Sequence, residues 1–154
     1  MTGYGVIDVQ GNKNFHVVHG TIRTETEAFP LRLGKIFAGI TEVIQTWQPQ
    51  EVSIEEVFVA KNAASALKLG QARGAAICAA VQAGCPVFEY TAKLIKQSVV
   101  GKGAAEKHQV QHMVKIMLNL HQDMPHDASD GLAIALTHAH LHATQKRLQG
   151  GTSW

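Results

Sequence analysis

A chain of 154 residues, 45% of them hydrophobic, can bury one sizeable core, and a single globular domain over residues 1–154 is the expectation. No apolar run is long enough to cross a membrane, and the opening Met1-Thr2-Gly3-Tyr4-Gly5 lacks the basic-then-apolar order of a signal peptide. The net charge of +2 says little, but between Phe58 and Gln122 eight basic residues face two acids, while acids collect on either side of that stretch. A basic middle bracketed by carboxylates suits a polyanion held against an acidic, metal-binding site, although a solvated surface gives the same count. Cys78 and Cys85 stand outside any paired metal-ligand spacing, so reduced thiols in a cytoplasmic protein are expected.

In chain order, Tyr4–Asp8 and Phe15–Arg23 read as the arms of an antiparallel hairpin turning at Gly11-Asn12. After Pro30, apolar residues from Leu31 to Trp47 recur at steps of three and four, the spacing of an amphipathic helix that ends before Pro49. Val52–Glu55 is a short strand ending in a carboxylate. Asn62 can cap a long helix from Ala63 to Gln82, and Pro86–Tyr90 is a second buried strand. Helices follow over 91–99, 106–120 and 127–146, with Gly101-Lys102-Gly103 as a connection. Strands first, then strands alternating with helices, predict a mixed α/β sheet. The helix carrying Ala72, Gly74, Ala75, Ala76, Ala79 and Ala80 is small-sided; it admits close approach by another helix, either in a symmetric dimer or in packing on the sheet.

Three acids are candidates for chemistry. Glu55 sits at a strand end, where functional groups collect in open α/β sheets. Asp127 and Asp130 share a face at the beginning of a helix, where capping and the helix dipole are an ordinary reason for acids. Together the three could hold a hard cation such as Mg²⁺, and two such ions could activate water and stabilise a leaving oxygen in phosphodiester hydrolysis. Lys96 and Lys107 flank the glycine-containing connection and could neutralise a phosphate. Phe58 falls in a loop three residues after Glu55 and could stack on an unpaired base, although a core-filling role is commoner. His108 with His112, and His138 with His142, are pairs four apart that can share a helical face. Zinc would need a third ligand with each, and a zinc protein built on His108 and His112 is a rival reading.

The segment Ile54-Glu55-Glu56-Val57-Phe58-Val59-Ala60-Lys61-Asn62, with Ser65 through Gly74 after it, resembles the central motif of the RuvC family of Holliday-junction resolvases. Val87–Tyr90, Lys96–Gly101, Glu106-Lys107 through Gln111, and Asp127–Ala135 are similar to further family motifs, and Thr2–Ile7 is similar to the family's second strand. The resemblance implies a ribonuclease-H-like mixed sheet flanked by helices and a homodimer that nicks two strands across a four-way junction. It also implies two Mg²⁺ ions per site, with Mn²⁺ as a substitute, and work alongside the RuvA–RuvB branch-migration complex. Glu55, Asp127 and Asp130 match three of four metal-binding carboxylates, Lys96 and Lys107 match lysines at the DNA and the scissile phosphate, and Phe58 matches an aromatic that stacks at the opened junction. Arg73, within the central motif, is expected among the DNA-binding residues.

The sequence departs from the family at its beginning. Members start with an apolar strand ending Ile-Asp-Pro-Gly, whose Asp is the first metal ligand; here Met1 stands directly before Thr2-Gly3-Tyr4-Gly5. The expectation is a domain without its first, central strand, Met1 being a misplaced start. A catalytically silent junction-binding protein is the alternative reading of the chain as it stands.

Overall fold

The computed structural model describes residues 1–58 and 62–150. Val59, Ala60 and Lys61, part of the central motif and of the basic stretch, lie outside the described residues.

Two strands form the expected hairpin: β1 (Thr2–Gln10) and β2 (Lys13–Ile22) pair antiparallel from Gln10↔Lys13 to Thr2↔Ile22. Gly11 turns the chain at a φ of 62°, left-handed backbone that favours glycine. The register shifts between Val6 and Ile7, whose partners are Val18 and His16, so Val17 is the extra residue of a bulge. Helix α1 (Phe29–Trp47) starts with Pro at its first turn, where the missing N–H costs no hydrogen bond. Strand β3 (Val52–Glu55) pairs in parallel with β4 (Val87–Tyr90), and α2 (Ala63–Gln82) crosses between them. Asn62 caps α2 as expected, its Oδ1 accepting from the Ser65 N–H at 3.2 Å.

The remainder is helical: α3 (Ala92–Val100), capped by Thr91; α4 (Lys107–Met117), opened by a Glu106–Gln109 capping box; and α5 (His126–Gly150). The mixed α/β content is as expected. Its strands form two separate pairs, β1–β2 and β3–β4, and no backbone pairing joins them among the described residues.

Helix α5 organises the molecule, touching β1, β2, β3, α3 and α4. Leu132, Ala133 and Leu136 of α5 pack with Ile95 and Val99 of α3, Val110 and Val114 of α4, and Leu118. A second, smaller core joins Ile44 of α1, Ala80 of α2 and Cys85 beneath Val52 and Val87. Close approach of α5 to β1 depends on missing side chains. A Cβ on Gly3 would lie 1.8 Å from the Asp127 carbonyl oxygen, and one on Gly131 would lie 2.8 Å from the Tyr4 carbonyl carbon. These glycines let the start of α5 lie directly on the strand. Both cysteines are free, Cys85 buried and Cys78 exposed. Among the described residues no helix is long and apolar enough to cross a membrane.

Candidate functional site

The first site gathers where β3 ends, α5 begins and α4 begins. Glu55 closes β3, and the backbone around it is held on two sides. Glu56 N–H donates to the Tyr90 carbonyl at 2.8 Å, and Arg73 Nε of α2 donates to the Glu55 carbonyl at 2.9 Å. The same guanidinium pairs with the Glu89 carboxylate of β4. Arg73 therefore ties α2 to the ends of both parallel strands, and only 21% of its side chain is exposed.

Asp127 and Asp130 lie in the opening turns of α5. Because the helix begins at His126, Asp127 is a first-turn acid rather than the N-cap that spacing alone allows. Lys107, at the start of α4, reaches Asp130 with its Nζ 3.3 Å from Oδ2. Half-burial pushes the Glu55 carboxyl above its usual range; the Asp130 charge adds to the rise, and Lys96 and Lys107 oppose it. Asp130 is also raised, first by burial; Lys107 opposes the rise and Asp127 adds to it. These mutual effects place Glu55, Asp130, Lys96 and Lys107 in one electrostatic neighbourhood, with Asp127 beside Asp130.

An open cleft of about 630 Å³ borders this neighbourhood, lined by Lys96, Ala105, Glu106, Lys107, His108, Gln111 and His126. A second depression of about 400 Å³ adjoins it, lined among others by His108, His112, His126 and Lys115. His108 and His112 thus face one hollow, but among the described residues they do not gather with a third ligand as a zinc site would require. Phe58 is 65% exposed in the loop beyond Glu55, so the core-filling role is excluded and its ring is free to stack.

Sequence reasoning missed the part played by Arg73 at Glu55, because a side chain on one helix cannot be assigned to a strand end from spacing alone. It also missed a second cluster at the other end of β3. Among the described residues, the group of three potential ligands whose donor atoms all lie within 4.8 Å of one another is Glu51, His138 and His142, not the expected carboxylates. His138 Nε2 meets Glu51 Oε2 at 2.6 Å, and His138 Nδ1 meets the Tyr90 hydroxyl at 2.6 Å. The hydrogen bond from His138, followed by the charges of His142 and Lys146, holds Glu51 below its ordinary range against its partial burial. Burial raises the Tyr90 hydroxyl, and the Glu51 charge adds to the effect. The spacing of His138 and His142 was a visible signal; the third member lies 87 residues from His138 in sequence.

Comparison with known proteins decides the family. The family model described as crossover junction endodeoxyribonuclease RuvC matches residues 1–138. The chain belongs to the RuvC family. The RuvC of Geobacter sp. (strain M21) is 56% identical over 150 residues, covering 97% of this chain and 92% of that protein. The RuvC of Citrifermentans bemidjiense is 59% identical over 140 residues, covering 90% and 85%. Among solved structures, Thermus thermophilus RuvC superposes with a TM-score of 0.84 at 36% identity, covering 93% of this chain and 89% of that one. The same protein in complex with Holliday junction substrate gives 0.86, again at 36% identity, covering 93% and 88%. The ribonuclease-H-like α/β fold expected from the motifs is therefore the fold of this RuvC chain, with its strands in two pairs.

Proposed function

We propose that this chain is a nuclease that resolves four-way DNA junctions by metal-dependent phosphodiester hydrolysis in recombination and repair. The observation that supports the reading is the mutual electrostatic influence of Glu55, Asp130 and Lys107, with Asp127 acting on Asp130, beside a cleft lined by Lys96 and Lys107, in a member of the RuvC family.

The donor set fits a hard cation. All three ligands are carboxylates, two of them half-buried and pushed up by burial and neighbouring acids, and a bound cation would relieve that strain. Glu55, Asp127 and Asp130 would hold the metal, Mg²⁺ or Mn²⁺, as two ions per site. When bound, the metal would supply Lewis-acid stabilisation of charge and a more acidic water. The protein's own residues do the rest. Arg73 fixes the backbone of Glu55, and its remaining N–H groups are candidates for DNA contact. Lys107 holds Asp130 and can turn its ammonium toward a phosphate oxygen in the cleft, and Lys96 adds positive charge on the α3 side. Phe58, exposed near the same strand end, stacks on a base freed at the crossover.

The unit acts as one nuclease domain over 1–154, paired as a homodimer in the cytoplasm and serving the RuvA–RuvB branch-migration complex. The dimer is supported by α2, which leaves Leu67 and Leu69 68% and 59% exposed on a helix rich in small residues. The test is a labelled four-way junction incubated with the chain and Mg²⁺. Symmetric paired nicks, lost in Asp130→Asn, are the expected result. Tight junction binding without nicks under any divalent metal would instead favour the silent binder.

A further inference from the structure

We propose that Glu51, His138 and His142 form a second metal site, separate from the nuclease carboxylates, that takes a borderline divalent ion of the zinc class and clasps β3 to α5. Glu51 immediately precedes β3 and Glu55 ends it, so the two acids are about 13 Å apart along an extended chain. His138 follows Asp130 by eight residues on α5, about 12 Å along the helix axis. Glu51 and Glu55 thus bracket β3, while on α5 the second-site histidines lie about two to three turns beyond Asp130.

The donor set selects the metal. Two imidazole nitrogens and one carboxylate oxygen suit zinc and its first-row neighbours, whereas Mg²⁺ seeks an oxygen shell. Spacing is close to what the ion needs. Zinc–ligand bonds of about 2.0–2.1 Å in a tetrahedron put donor atoms roughly 3.3 Å apart. Here His138 Nε2 and Glu51 Oε2 are 2.6 Å apart, and His142 Nε2 and Glu51 Oε1 are 3.8 Å apart. With one donor atom from each residue the three lie within 4.8 Å of one another, so modest side-chain adjustment, one pair opening and another closing, would seat the ion.

The surroundings complete the arrangement. The Tyr90 oxygen, 2.6 Å from His138 Nδ1, can accept that N–H and leave the Nε2 lone pair for a metal, the outer partner that ligating histidines ordinarily have. Phe88 lies against both rings, with centroids 4.4 Å from His138 and 5.8 Å from His142, and so fixes their planes and excludes water from that side. The His142 and Glu51 side chains are 27% and 34% exposed, which gives the ion a path in and leaves a fourth position to water. The Ser53 hydroxyl already bonds the Ile134 carbonyl of α5 at 3.3 Å, so the ion would strengthen a strand–helix seam that exists without it.

The experiment is equilibrium dialysis of the full chain against ZnCl₂ with excess Mg²⁺, with bound zinc measured by elemental analysis and Co²⁺ absorption reporting the ligand field. One zinc per chain is expected, with a tetrahedral cobalt spectrum, in the natural sequence and equally in Asp130→Asn and in His108→Ala/His112→Ala. His142→Ala and Glu51→Gln, both partly exposed positions that tolerate change, should each weaken binding by at least 10–100-fold, roughly what loss of an outer-shell partner alone costs. Failure to retain stoichiometric zinc overturns the proposal. Retention that survives both His142→Ala and Glu51→Gln overturns it equally. Because the readout is metal content, neither outcome depends on whether the chain cuts DNA.

Discussion

The two ends of the β3–α5 seam are built from the same elements and suit different chemistry. At one end Glu55, Asp127 and Asp130 offer only oxygen, beside an open cleft with Lys96 and Lys107 on its walls. At the other, Glu51, His138 and His142 offer two nitrogens and an oxygen against the rings of Phe88 and Tyr90, with donor atoms already within 4.8 Å. The difference shows how one strand and one helix can present two donor sets of unlike chemistry. The Glu55 end borders an open cleft and carries carboxylates that raise one another's pKa. The far end is compact, and its hydrogen bonds run in sequence from Tyr90 through His138 to Glu51.

The sharpest way to break that comparison is to remove charge at the nuclease end. Asp130→Asn should lower paired nicking by about 10³-fold, the equivalent of losing several kcal/mol of transition-state stabilisation, with junction binding in gel shifts retained. Lys107→Ala should lower the single-turnover cleavage rate by about 10²-fold, since a cation near developing charge is removed and Asp130 loses its partner at 3.3 Å. If Lys107→Ala weakened binding and left that rate unchanged, the lysine would be a DNA anchor only.

A smaller effect tests how α5 is seated. Gly3→Ala would place a methyl 1.8 Å from the Asp127 carbonyl oxygen, so the strand and helix must separate. Destabilisation of about 1–3 kcal/mol in chemical melts is expected. Nicking should fall as well, because the displaced turn carries Asp127.

The smallest effect is in pH dependence. Glu55 and Asp130 are raised above ordinary values of 4.5 and 3.8, so the folded chain holds these protons more tightly than the unfolded one. Their contribution to stability is therefore greatest below the ordinary values. It falls as pH rises through them to the raised folded values, and it stays level above. Thermal melts in a chelator should show this decline, Mg²⁺ should oppose it, and Asp130→Asn should shrink it. A decline unchanged in Asp130→Asn would mean that other carboxylates cause it.

Much of this was legible in the chain order of residues. The hairpin turn at Gly11-Asn12, the Asn62 cap, the strand ending in Glu55 and the helix bearing Asp127 and Asp130 follow from backbone preference and hydrophobic spacing, which act over a few residues. The family, too, was readable from motifs lying in one line along the chain. What local pattern could not supply is which side chains meet. Arg73 could be counted as a basic residue, but its bonds to Glu55 and Glu89 required α2 to fold back over the strand ends. The spacing of His138 and His142 offered a shared helical face, and of the two histidine pairs only the tertiary structure brought this one to a third ligand, by laying the start of β3 across α5. Contacts between residues 87 apart depend on how burial of Leu132 and Leu136 and the bare surfaces of Gly3 and Gly131 seat the helix against its neighbours. That packing is a property of the whole core, and no short stretch of sequence contains it.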